Sequence, residues 1–218
     1  ETGTNRGEGW QLHNIFALAV TQWLILIEYA SFDSQLHIGK GVSNFTDDGS
    51  TNMALVTGAT ANLGNGSGIP DGGEDGKCSV SYRGEENLWG NIWTWLDGIN
   101  FYNTATDSTV FVKGFGAMTD DTSEGYTALA FSAYKNSGYI GAFGVDAGVS
   151  EVFIPTALGG TSALPVGDYF YNYNTGWRVA ILGGRWNSGS SCGAWCLDAY
   201  GASSYRYRYV GGRLLYVP

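Results

Sequence analysis

Three cysteines and two histidines are the residues best suited to nucleophilic, redox or metal chemistry, and their spacing limits what they can do. Cys78 stands alone, while Cys192 and Cys196 are four apart, open to pairing with each other or to having no joint role. An odd set of three does not give the even disulfide framework of a small secreted chain. There is no Cys-x-x-Cys, and His13 and His37 are isolated, so no zinc set assembles from the sequence. Ser, His and Asp occur apart from one another, and no nucleophile of the Gly-x-Ser-x-Gly kind is read from them. The stretch Asp71-Gly-Gly-Glu-Asp-Gly76 has the oxygen-rich composition of a calcium loop without the twelve-residue EF-hand spacing. It reads as a solvated turn, so no cofactor is expected, with calcium the one ion whose ligand chemistry is represented.

The residues best suited to contact lie in the last forty, Val179 to Pro218. Between Arg185 and Val210 the one long aliphatic is Leu197, and the rest is mainly Gly, Ser, Ala, Asn, Tyr, Trp and Arg. A core needs aliphatic volume. This mixture instead matches a paratope, where Tyr and Trp give contact area at low entropy cost and Ser, Gly and Asn give adaptable hydrogen bonds. If Ser204–Tyr209 is extended, a period of two places Tyr205, Tyr207 and Tyr209 on one face and Arg206 and Arg208 on the other. Apolar runs bracket the segment, Val179–Leu182 and Leu214–Val217, and both read as core strand.

The elements that must carry this surface are legible in order. Asn14 is a suitable N-cap for Ile15–Ala30, which is apolar all round a 3.6-residue period and too short to span a bilayer, so it reads as a buried central helix. Trp89, Ile92, Trp93, Trp95 and Leu96 fall on one helical face, predicting a second helix whose Trp stripe is core rather than a sugar platform. Met53–Thr57 is strand-like, as are Ser108–Lys113, Tyr126–Phe131, Gly138–Gly144, Ser150–Ile154 and Trp177–Leu182, with a loop beginning at Ile154-Pro155 and Gly167–Asn174 leading from it into Trp177. Two helices and many short strands give an α+β class. Glycine, 34 of 218 residues with no fixed period, excludes collagen and implies long loops.

Length and the absence of a charged or Pro-rich linker favour one domain over residues 4–218, with Glu1-Thr2-Gly3 read as a remnant of leader processing. No signal peptide or membrane span is read, and Asn44-Phe-Thr46 and Asn65-Gly-Ser67 fit the glycosylation pattern. The net charge of −9 disfavours nucleic acid and anionic membrane. It is uneven: from Arg178 onward five arginines (Arg178, Arg185, Arg206, Arg208 and Arg213) face one acid, Asp198. Only that end could attract an anion, unless these arginines are structural.

Three ordered motifs carry a resemblance: Glu86-Asn-Leu-Trp-Gly-Asn-Ile-Trp-Thr-Trp-Leu-Asp-Gly98, then Arg178-Val-Ala-Ile-Leu-Gly-Gly-Arg-Trp186, then Gly211-Gly-Arg-Leu-Leu215. Together they resemble the formylglycine-generating-enzyme branch of the C-type lectin fold, and within it the phage and prophage variable proteins diversified by retroelements. The resemblance implies short twisted antiparallel strands, two helices, long Gly-rich loops and a variable display region over about 179–218. It implies scaffold roles for Gly183, Gly184, Trp186, Gly189, Gly193, Gly212 and Arg213. The display positions it implies are Arg185, Asn187, Ser188, Ser191, Ala194, Trp195, Cys196, Asp198, Tyr200, Tyr205 and Tyr207.

The enzymes of that branch use paired cysteines with copper, or a His-rich iron site, and neither context is present, so the fold does not bring the activity with it. The expected role is a non-enzymatic receptor-binding module on a virion tail or bacterial surface, meeting a cell-surface protein or glycan. A carbohydrate-binding lectin and a structural tail component are the alternatives. The Glu-Pro-Asn, Gln-Pro-Asp and Trp-Asn-Asp signatures of calcium-dependent sugar binding are missing from the sequence. A trimer suits a fibre tip, although no heptad pattern drives one.

Overall fold

The computed structural model describes residues 7–116 and 118–218, so the tripeptide Glu1–Gly3 lies outside the described residues. Asn14 caps the first helix, α1 (Ile15–Tyr29), its Oδ1 accepting from Phe16 N–H at 2.8 Å, and Ala30 closes it in the left-handed conformation. One face of α1, Ile15, Leu18, Ala19, Gln22 and Ile25, is buried against the sheet. The opposite face is not, since Val20, Trp23 and Ile27 are exposed, so α1 is a half-buried helix and not the fully buried one its composition predicts. Among the described residues no helix is long and apolar enough to cross a membrane. A single turn, α2 (Ser34–His37), follows, capped by Asp33.

The strands are β1 (Trp10–Leu12), β2 (Ser81–Tyr82), β3 (Glu85–Glu86), β4 (Trp93–Asn103), β5 (Ser108–Val112), β6 (Thr127–Ser132) and β7 (Gly138–Asp146). They continue with β8 (Val149–Leu158), β9 (Tyr169–Tyr171), β10 (Gly176–Leu182), β11 (Leu197–Asp198), β12 (Val210–Gly211) and β13 (Leu214–Tyr216). The class is α+β, dominated by strand. The main sheet runs β6-β5-β4-β10-β11-β9-β7-β8, with β12 joining β4 in parallel. Its ends approach each other, because Ala130 N–H donates to Asp146 Oδ2 at 2.6 Å and Tyr134 N–H donates to the Pro155 carbonyl at 2.8 Å. The sheet therefore nearly closes around the core that α1 covers.

Four sequence expectations are corrected. The Trp-rich stretch is not a helix: Asn87, Gly90 and Asn91 take positive φ, and the chain then runs straight as β4. A Cβ on Gly90 would sit 2.8 Å from the Val42 carbonyl oxygen, so this turn accepts only glycine. Trp89 and Trp93 are nonetheless core, as expected, while Trp95 is half-buried against the cluster around Trp93. Met53–Thr57 is loop, and Pro155 lies inside β8, which extends to Leu158. Of the two bracketing runs, Val179–Leu182 is core strand, whereas β13 pairs with β1 in a separate ribbon and exposes Leu214 and Tyr216.

Candidate binding cleft

β10 ends at Gly183 and Gly184, both at positive φ, and this turn starts the C-terminal surface. A Cβ on Gly183 would meet the Leu88 carbonyl oxygen at 2.5 Å, so glycine alone lets β10 lie this close to the 88–91 turn. Trp186 is then fully buried and roofed by Arg208, whose guanidinium carbon is 5.3 Å from the indole centre. After the turn at Gly189–Ser191 the chain dives inward. Trp195 packs edge-on against Phe32 at 5.2 Å, and its backbone amide donates to Asp168 Oδ2 at 2.7 Å. β11 brings the chain out again, and residues 202–209 fold back over it until β12 joins β4, with Trp93 N–H donating to the Tyr209 carbonyl at 2.8 Å.

Between these segments opens a cleft of about 440 Å³, lined by Arg185, Asn187, Ser188, Asp198, Tyr200 and Tyr205 from the expected set, together with Trp93, Tyr171, Tyr173 and Tyr209. Beneath it Trp93, Ile181 and Cys196 form a small second core. Trp93 meets Tyr171 edge-on at 5.9 Å, and Tyr173 lies against Tyr200 at 4.8 Å. Tyr205 and Tyr209 join hydroxyl to hydroxyl at 3.1 Å. Tyr207 is outside the lining but stacks on Tyr209 at 5.0 Å and 13°, leaving its own ring exposed. Residues 204–208 are irregular backbone, not a strand, so the three rings gather by stacking rather than by a period of two.

Three of the expected display positions are corrected. Ala194, Trp195 and Cys196 are sealed inside the molecule, Trp195 at 2% exposure, because this aliphatic-poor segment fills core volume with an indole and a thiol. Ser191 is half-buried at the end of the inward turn and does not line the cleft. Two of the missed residues, Tyr171 and Tyr173, had a signal: they alternate with Tyr169, which in an extended segment places them on one face.

Charge is arranged unevenly around the cleft. Arg185 lies over the Tyr209 ring at 3.8 Å and 3.8 Å from Asp47, which also holds Arg208 at 2.5 Å. The Gly49 amide and then Arg208 hold the Asp47 carboxyl below its usual range. Arg213 is committed to Glu85 and the Glu86 carbonyl, and Arg178 to the Thr175 carbonyl. Most arginines of this end are therefore structural. Asp198 differs: burial pushes its carboxyl up to about 7 against the pull of the Tyr200 amide at 2.7 Å, and among the described residues no basic side chain is within ion-pair distance. Burial also raises the phenols of Tyr171 and Tyr205.

Groups with catalytic potential are held elsewhere or sealed. Cys192 and Cys196 are free thiols, buried and raised in pKa by that burial, and Cys192 Sγ donates to the Gly183 carbonyl at 2.7 Å. Burial and then Arg213 push His13 down to about 4, and His37 stacks on Tyr29. Against the sequence reading, Gly189-Ser190-Ser191-Cys192-Gly193 does have Gly-x-Ser-x-Gly spacing, but Ser191 ends a single 3-10 turn and not a strand-to-helix elbow. In the acidic loop Asp75 bonds to Lys40 and Glu74 to Lys77. Among the described residues no three His, Cys, Asp or Glu side chains gather to hold a metal. No family profile matches this chain, and no curated protein matches it.

Proposed function

We propose that the chain is a non-enzymatic binding module of the C-type lectin type, in the variable-protein branch, presenting its C-terminal cleft to a protein or glycan on a cell surface. The observation that carries this reading is the cleft itself, where six sequence-expected display positions converge with four more aromatic or phenolic side chains. Tyr-rich, Ser- and Asn-edged concavity over a rigid base is the chemistry of a contact surface.

The three motifs that carry the resemblance also meet in space. Gly90 N–H donates to the Gly183 carbonyl at 3.0 Å, Trp186 N–H to the Asn91 carbonyl at 3.1 Å, and Arg213 reaches Glu85 and the Glu86 carbonyl. Segments between about ninety and 127 residues apart in sequence thus form one buttress under the display segment. In this reading the virion tail or bacterial surface is where the module works, and a trimeric fibre tip is one setting for it.

The test is a binding screen of the intact chain against cell-surface proteins and glycans, repeated with Tyr173→Ala and Tyr207→Ala. Both rings are more than half exposed, so folding should survive. Loss of the hits in both variants is the expected result. Hits that persist unchanged would move the binding face elsewhere.

A further inference from the structure

Asp198 sits among the rings of Trp93, Tyr171, Tyr173, Tyr200, Tyr205 and Tyr209. One carboxylate oxygen accepts from the Tyr200 amide at 2.7 Å. Its other oxygen has no hydrogen-bond partner among the described residues, and the nearby cations are engaged elsewhere, Arg185 and Arg208 both on Asp47. Taking a carboxylate out of water without a counter-ion is costly. A cation entering the cleft removes that cost, and the ring faces add to its attraction, since their quadrupoles favour positive charge within about 6 Å of the centroid.

We propose that this cleft, read above as the binding face, takes the primary ammonium of a lysine side chain on a protein partner. The unmatched oxygen of Asp198 selects among cations. A primary ammonium carries three N–H donors and satisfies that oxygen directly, whereas a quaternary ammonium has none. The phenols set around the carboxylate can accept from the remaining N–H groups. A lysine stem of four methylenes lies along aromatic faces at little cost, and the cleft volume of about 440 Å³ admits such a chain with its flanking backbone. The arginines beside the cleft, Arg185 and Arg208, are paired with Asp47, so the excess of acids over the rest of the chain, net −9 overall, still favours a basic partner.

The groups facing Asp198 define the pH dependence. Tyr171 from β9, Tyr173 beyond it, Tyr205 from the returning loop and Cys196 beneath all have raised pKa values, so they stay neutral at neutral pH, while Arg185 at the rim faces Asp47. Asp198 is then the group that changes charge between pH 6 and 8. The ammonium binds the ionised carboxylate, so binding releases a proton and strengthens as pH rises through about 7.

Titration of the intact chain with Nα-acetyl-lysine methylamide, followed by Trp fluorescence or NMR, tests this. Expected is a Kd on the order of 1 mM at pH 8, weaker by about tenfold at pH 6. Nα-acetyl-norleucine methylamide, which keeps the stem and lacks the charge, should bind at least tenfold more weakly. Asp198→Asn should lose the pH dependence and most of the affinity, and Tyr173→Ala, at the exposed rim, should weaken binding about threefold to tenfold. Equal binding of the norleucine probe, full binding by a folded Asp198→Asn variant, or tighter binding of choline than of the lysine probe would each overturn the proposal. So would an absence of binding at 50 mM probe. If partner capture in the screen still depends on Tyr173 and Tyr207 while the lysine probe fails, the binding face stands and its lysine selectivity falls.

Discussion

Trp195 and Asp198, three positions apart, share a composition that marks the whole segment as display surface, yet they end up on opposite sides of the backbone. Trp195 fills space between Phe32 and Phe153, at 5.2 and 6.2 Å, while Asp198 faces the cleft. The sequence separates them poorly because a core short of aliphatics recruits aromatic volume. Indole at 195 and phenol at 207 therefore look alike until their neighbours are known. Trp195→Ala is expected to cost about 3–5 kcal/mol as a buried aromatic truncation, and Tyr207→Ala less than about 1 kcal/mol as a surface change. Urea denaturation of both variants checks this, and equal losses would refute the division.

Asp198 gives a second residue-scale expectation. Its folded pKa of about 7 lies above the unfolded value, so between the two the folded state holds the extra proton. Its contribution is complete below pH 4 and is lost as pH rises through 7, with a ceiling of about 4 kcal/mol for three pKa units. Asp97 and Asp168 are raised as well, so the comparison is between parent and Asp198→Asn. Denaturation midpoints should converge as pH falls and diverge in slope between pH 5 and 8. Parallel curves would show that Asp198 titrates normally.

Among the elements, helix α1 and strands β5 to β8 and β10 were legible because hydrophobic period and Gly, Pro or Asn punctuation agree there. The stretch 86–98 was not, because its indoles fit a helical period while Asn87, Gly90 and Asn91 break the helix before β4 starts. Backbone approach outranks side-chain period where two turns touch. Gly183 is the sharpest case, with φ +90° and the Leu88 carbonyl where a Cβ would be. Gly183→Ala is expected to cost at least about 2 kcal/mol and to weaken binding, since the turn seats Arg185 and Trp186. Gly189, at φ +57° with open space around it, should lose about 1 kcal/mol on the same change. Chemical denaturation of the pair separates crowding from conformational preference, and similar losses would mean that the Leu88 contact is soft.

For the whole molecule, the sequence yields the strands but not their partners. Parallel β12 on β4, the β1 and β13 ribbon and the approach of β6 to β7 and β8 are all long-range pairings that no local pattern encodes. These pairings make the cleft a by-product of the frame: β4, β9 and β11 supply its base, and the loop 202–209 its far wall. If the frame carries the stability, the exposed face is replaceable as a block. Tyr173, Asn187, Ser204, Arg206 and Tyr207 are all exposed, and changing all five to alanine together is expected to leave a single melting transition. Surface changes fall within about 0.5 kcal/mol each, and about 1 kcal/mol moves Tm by 2–4 °C at this size, so the fall should stay under about 10 °C. Trp93→Ala, which opens the second core beneath the same cleft, should lower Tm by about as much or more through one buried ring. Calorimetry on the two variants decides whether the face rests on the frame or holds it together: a fall well beyond 10 °C in the five-fold variant would make the display residues structural.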